Sequence, residues 1–253
     1  QEFQFIANNK KDYYTSIKLF GEIIERNPNN ILSMLCCSIA KSRLNDFKAA
    51  LIESTKAIEI NPDYEYAYNS RGNSYSSLKN YNDAIADFTK AIEIDPNYAK
   101  AYNNRGRSYY RLENYETAIE DFTKAIEIDP NYTSAYNNRG YSNYRLENYE
   151  TAIDDYTKAI EIDPKYIDAY YNRGYSNYML KNYETAIDDY TKAIEEKNIV
   201  SLVLSKLPHK VRYKTYPEDN RRYADRDPVL KYVKRATNIE LYSKKIDMRY
   251  LIS

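Results

Sequence analysis

Few side chains in this protein are equipped for covalent or metal chemistry. His209 is the single histidine, and the two cysteines, Cys36 and Cys37, are neighbours. A structural zinc ion needs about four His, Cys or carboxylate ligands, and an activated nucleophile needs a base within hydrogen-bond reach. One histidine near the C-terminal end supplies neither a ligand set nor a triad. A phosphate-cradling loop needs clustered glycines. The chain has five, four of which recur at a fixed interval and leave only Gly21 unassigned. Carboxylate pairs such as Glu120/Asp121 and Asp154/Asp155 have the residue type for acid–base work, but they recur at the same interval, and the expectation is a solvated helix face. No cofactor, metal site or catalytic residue is expected. Adjacent cysteines on one helix cannot staple a fold, so both are expected as free core thiols in a reducing, cytoplasmic setting.

Asparagine, tyrosine and arginine remain as the groups able to recognise a partner, and the sequence places them periodically. Pro28, Pro62, Pro96, Pro130 and Pro164 are spaced by 34 residues, as are Gly72, Gly106, Gly140 and Gly174. Tyr68, Tyr102, Tyr136 and Tyr170 keep the same interval, with Ala84, Ala118, Ala152 and Ala186 following in phase. Periods of this size mark repeat architectures, in which stacked units bury a core that no unit could bury alone. Lys and Arg number 37, as do Asp and Glu, so net charge gives no argument for a nucleic-acid or membrane partner. The longest apolar stretches, 31–40 and 199–207, are shorter than the ~18 residues of a membrane span.

Each period reads as two amphipathic helices. Tyr102, Gly106, Tyr109 and Leu112 fall at three- and four-residue steps, and after a break at Asn114 so do Ala118, Phe122, Ala125 and Ile126. Asn114 is a side-chain cap for the second helix, and Asp129-Pro130 stops it, because proline lacks the amide and crowds the preceding turn. Glu120 precedes Lys124, and Asp154 precedes Lys158, by the four residues of a favourable surface pair. Gly106 and Ala118 are small where the two helix axes must approach. Arg71, Arg105, Arg139 and Arg173, each just before a repeat glycine, are expected to pack their stems and pair with a neighbouring carboxylate. The tyrosines at 68, 102, 136 and 170 are expected in the core.

Tyr102, Gly106, Tyr109, Ala118, Phe122, Ala125 and Pro130, at this spacing, resemble the tetratricopeptide repeat (TPR) pattern. The resemblance covers 1–200, with a partial unit at 1–30 and full units at 31–64, 65–98, 99–132, 133–166 and 167–200. The unit at 31–64 departs from it, with Met34 and Ser38 in place of the tyrosine and glycine, and Asn198 replaces the proline of the last unit. It implies an all-α, right-handed superhelical solenoid of antiparallel helix pairs whose first helices line a concave groove. Helical spacing then assigns the groove to Asn69, Asn73, Asn103, Asn104, Arg107, Tyr110 and Arg111, followed by Asn137, Asn138, Tyr141, Tyr144, Arg145, Asn172, Tyr175 and Tyr178. Asn104, Asn138 and Asn172 recur once per unit, resembling an amide ladder that holds a peptide main chain, since an amide both donates and accepts. The charged clamp by which TPR co-chaperones hold a C-terminal carboxylate is not matched. Asn73 and Asn104 fit it, but Asn69, Ser134 and Asn138 stand where cations are required.

The segment 201–253 leaves the register. It holds thirteen Lys and Arg against six Asp and Glu, a net +7, which puts 1–200 at −7. Its apolar start at 199–207 is placed to cap the last unit, and its basic remainder is rich in tyrosine, the composition that pairs with phosphates and stacks on bases of RNA. Function is therefore expected to be non-catalytic: a scaffold binding an extended segment of another protein in the groove. The alternative is a structural component of a ribonucleoprotein or filament assembly attached through the basic tail.

Overall fold

The computed structural model describes residues 10–197, and the expected cap at 199–207 and basic tail lie outside them. Among the described residues there are eleven α-helices and no strand: α1 (Lys10–Arg26), α2 (Ile31–Arg43), α3 (Phe47–Ile60), α4 (Glu65–Ser77), α5 (Tyr81–Ile94), α6 (Ala99–Arg111), α7 (Tyr115–Ile128), α8 (Thr133–Arg145), α9 (Tyr149–Ile162), α10 (Ile167–Met179) and α11 (Tyr183–Lys197). The chain divides into two compact units between Ala135 and Tyr136. In the first, each helix from α1 to α7 packs on the next, and α4 also meets α2 and α6. In the second, α9 packs on α10 and α10 on α11. No described helix is long and apolar enough to cross a membrane.

The link between the two helices of a pair follows from three consecutive backbone choices. At the end of α6 the Glu113 amide bonds Tyr110 O (3.0 Å) and the Asn114 amide reaches back to Tyr109 O (3.0 Å), with Glu113 in the left-handed region at φ 62°. This is a Schellman termination, which satisfies the orphan carbonyls of a helix end. Asn114 then starts α7, its side chain accepting the Thr117 amide. Asn45, Lys79, Glu147 and Lys181 take the same positive φ at the corresponding turns, and none is glycine. A non-glycine residue pays about 1–2 kcal/mol there, partly offset by the smaller freedom it loses on folding. Glu113→Gly is therefore expected to stabilise the protein by roughly 0.5–1 kcal/mol in urea denaturation; an unchanged midpoint would show the turn to be unstrained.

The second helix stops where proline was expected to stop it. α7 ends at Ile128, and Asp129 turns extended, its carboxylate accepting the Asn131 amide at 3.0 Å across Pro130. Asp95 and Asp163 do the same for Asn97 and Lys165.

Small residues set the helix spacing inside a pair. A β-carbon on Gly106 would meet the Phe122 ring at 2.8 Å, and one on Gly72 would meet Phe88 at 2.7 Å. Gly140 and Gly174 stand in the same relation to Tyr156 and Tyr190. Around these contacts the alanines at 84, 91, 118, 125, 152 and 159 are fully buried. The expected surface pairs differ in detail: Lys124 bonds Glu127 (2.8 Å) and Lys158 bonds Glu161 (3.0 Å), one turn onward rather than back. Pairs this exposed contribute little, so either partner serves.

Candidate functional site

The repeat arginines end on buried carboxylates. Arg105 Nε and Nη2 donate to both oxygens of Asp121 at 2.9 and 2.7 Å, and Arg71–Asp87 and Arg173–Asp189 repeat the two-pronged geometry. Arg139 binds Asp155 with a contact of 2.6 Å. Each guanidinium lies over the tyrosine three residues before it, Arg105 at 5.5 Å from the Tyr102 centroid. Those tyrosines are half-buried rather than enclosed. The carboxylates correct the expectation of a solvated row, since Asp121 and Asp155 are 5% and 4% exposed. A signal for this was present: Asp121 stands three residues after Ala118 and four before Ala125, on the apolar stripe, whereas Glu120 points away. Burial holds the carboxyls of Asp121, Asp155 and Asp189 above the usual range, even against the guanidinium beside each. In the pair α2/α3 Cys37 occupies the arginine place, and Glu53 bonds Lys41 instead (2.8 Å). Cys36 and Cys37 are free and buried there, and burial pushes the Cys37 thiol up to about 11. Among the described residues no three His, Cys, Asp or Glu side chains gather as a metal site.

The first helices of the first unit line an open cavity of about 540 Å³. α2 gives it Leu35, Ile39 and Arg43; α4 gives Tyr66, Asn69 and Asn73; α6 gives Lys100, Asn104 and Arg107, with Phe47 and Tyr98 at the edge. Four expected groove residues, Asn69, Asn73, Asn104 and Arg107, are thereby brought together. Asn104 donates to Asn69 across neighbouring first helices (3.0 Å). Tyr66 meets Tyr98 edge-on at 5.2 Å, and burial holds the Tyr98 hydroxyl far above its usual range. Tyr110 packs on Tyr115 at 5.3 Å, while Arg111 is exposed outside the cavity lining. Asn103 is buried, with a hydrogen bond to Tyr132, and is not part of the cavity lining.

In the second unit the exposed side of α8 and α10 carries an aromatic run. Tyr141 stacks on Tyr144 at 6.3 Å, Tyr144 meets Tyr175 at 5.2 Å, and Tyr175 stacks on Tyr178 at 6.4 Å. Burial, with a hydrogen bond to Tyr175, holds the Tyr144 hydroxyl above its usual range. Asn172 donates to Asn137 (3.0 Å), which is buried, repeating the Asn104–Asn69 pair. Asn138 is half-buried and Arg145 exposed.

A helix-pair array with Gly–ring contacts, a proline stop and first helices lining a concavity defines a class of repeat protein. The chain belongs to the tetratricopeptide repeat family, whose profile matches 65–98, 99–132, 133–166 and 167–197, over half of its length. The family is one of interaction modules. No curated protein matches the sequence. Among solved structures it is similar to MamA (25% identity, 64% of this chain and 94% of that one, TM-score 0.58). It is also similar to YrrB, described as a TPR protein with an unusual peptide-binding site (26% identity, 74% and 96% covered, TM-score 0.56). The Cut9–Hcn1 hetero-tetramer of the APC/C shares the fold at 17% identity (96% and 46% covered, TM-score 0.71).

Proposed function

We propose that this protein is a non-catalytic scaffold that holds an extended segment of a partner protein along its first helices. The observation that carries the reading is the cavity lined in common by α2, α4 and α6, of a size within the ~300–1,000 Å³ of ligand pockets. Its amides suit a main chain. Asn104 keeps an N–H and a carbonyl lone pair beyond its bond to Asn69, and Asn73 is exposed beside them. In the second unit, taken by itself, the tyrosines of α8 and α10 offer broad apolar contact with hydroxyl tips, a combination enriched at interfaces. The similarity to YrrB supports a peptide ligand, and two free, buried thiols support a reducing, cytoplasmic setting.

Site-specific photo-crosslinking tests this. A photoreactive side chain at Asn73, Arg107 or Tyr141, all exposed on first helices, is expected to capture unstructured peptides from a synthetic library. The same group at Lys124 or Lys158, exposed on second helices, is expected to capture none. Equal capture from both sets would mean that the first helices are not the binding face.

A further inference from the structure

Some cations of the described residues are neutralised within the fold. The four repeat arginines meet buried aspartates, Lys41 meets Glu53, and Lys90, Lys124 and Lys158 meet glutamates one turn onward. Arg43, Lys100 and Arg107 are different. They line one cavity from three successive first helices, none forms an ion pair among the described residues, and no carboxylate is in the lining. Three like charges converging on a concave surface raise the local potential and attract a counter-charge.

The remaining lining says what kind of counter-charge. A free phosphate or other small anion leaves most of the cavity unfilled, and its partly exposed apolar groups, Ile39 and Phe47 with the Tyr66 ring, give such an ion nothing to bind. Asn69, Asn73 and Asn104 lie between the cations and suit peptide units. The protein's own 201–253 segment carries +7 and is repelled. We propose that this cavity binds an internal acidic segment of a partner protein, with carboxylates on Arg43, Lys100 and Arg107 and one bulky apolar side chain against Ile39 and Phe47. The proposal rests on the groove reading above and narrows it to one ligand chemistry. Partner selection then lies in charge and one anchor, while the amides hold the main chain without reading sequence.

The test uses the full chain and a panel of fluorescent peptides, acetylated and amidated so that no terminal charge contributes. Each carries one Phe among four Glu or Asp at varied spacing, with matched Gln and Lys versions and a Phe→Ala version. At least one acidic peptide is expected to bind tenfold or more tightly than its Gln version, to weaken as salt rises, and to weaken again on Phe→Ala. The Arg43→Gln/Lys100→Gln/Arg107→Gln variant, altered only at exposed positions, is expected to lose that tenfold preference with its circular dichroism unchanged. The proposal is overturned if no acidic peptide exceeds its Gln version or if the triple variant keeps the preference. Displacement of the acidic peptide by oligouridylate at lower concentration than by unlabelled peptide also overturns it, in favour of a nucleic acid. Capture of neutral peptides at Asn73 and Arg107, with no acidic preference, would sink this proposal and leave the groove reading standing.

Discussion

Excising residues 99–132 is expected to leave a soluble helical protein with a single cooperative thermal transition, whereas excising only 99–114 is expected to abolish it. The first deletion removes α6 and α7 together and joins Tyr98 to Thr133, so every later residue keeps its place in the 34-residue register. The second leaves α7 without its partner. Asp121 then has no Arg105, and Phe122 has no Gly106 to pack on. Arrays of this kind derive stability from each unit and its contact with the next, so they tolerate loss of a unit but not of half of one. Circular dichroism and thermal melts of the two deletions decide the matter; equal damage from both would refute the repeat as the folding unit.

Replacing Arg105 by Met is expected to cost about 3 kcal/mol in urea denaturation, because it strands the Asp121 carboxylate in the interior. The double replacement Arg105→Met/Asp121→Leu is expected to recover most of that loss, since removing both charges also removes the cost of burying them. Burial already raises the Asp121 carboxyl above its usual range with the guanidinium in place. Loss of hydration outweighs the attraction for the carboxyl, while against its own burial the bond to Asp121 holds the Arg105 guanidinium above its usual range, so the opposing effects leave the pair with a small net contribution. A single variant as stable as the parent, or a double variant no better than the single, would contradict this account.

The helix pairs were legible because proline, glycine, alanine and the ring residue each recur once per period, and each leaves a distinct physical mark. Proline removes an amide, glycine makes room for Phe122 or Tyr156, and alanine lets the axes approach. Schellman turns on Lys79, Glu113, Glu147 and Lys181 carried no such mark, since lysine and glutamate show no preference for positive φ. Candidate groove positions were only partly legible. Of the residues that helical spacing assigns to the groove, Asn69, Asn73, Asn104 and Arg107 line one cavity, while Asn103 and Asn137 are buried outside that lining. Adjacent asparagines on one helix differ by 100° in direction, and only the packing of the neighbouring repeat decides which one faces the open side. Lys41 takes the place of the missing arginine for Glu53 because Cys37 is short and neutral, its thiol donating to Ile17 O instead, a substitution that no single unit of the sequence announces.

The ties described above differ in kind according to what they join. Inside a repeat the Arg–Asp fork is a two-pronged ion pair, while the side-chain bonds that reach the neighbouring repeat are single: Asn104 to Asn69, Asn172 to Asn137, and the remaining prong of Arg105 and Arg173 to Thr89 and Thr157. Charge-assisted bonds are roughly twice as strong as neutral ones. Under tension the seams therefore fail before the blocks. A partner that pulls on this protein meets a strap that lets out slack a block at a time, each block holding on the order of 110 Å of chain in reserve.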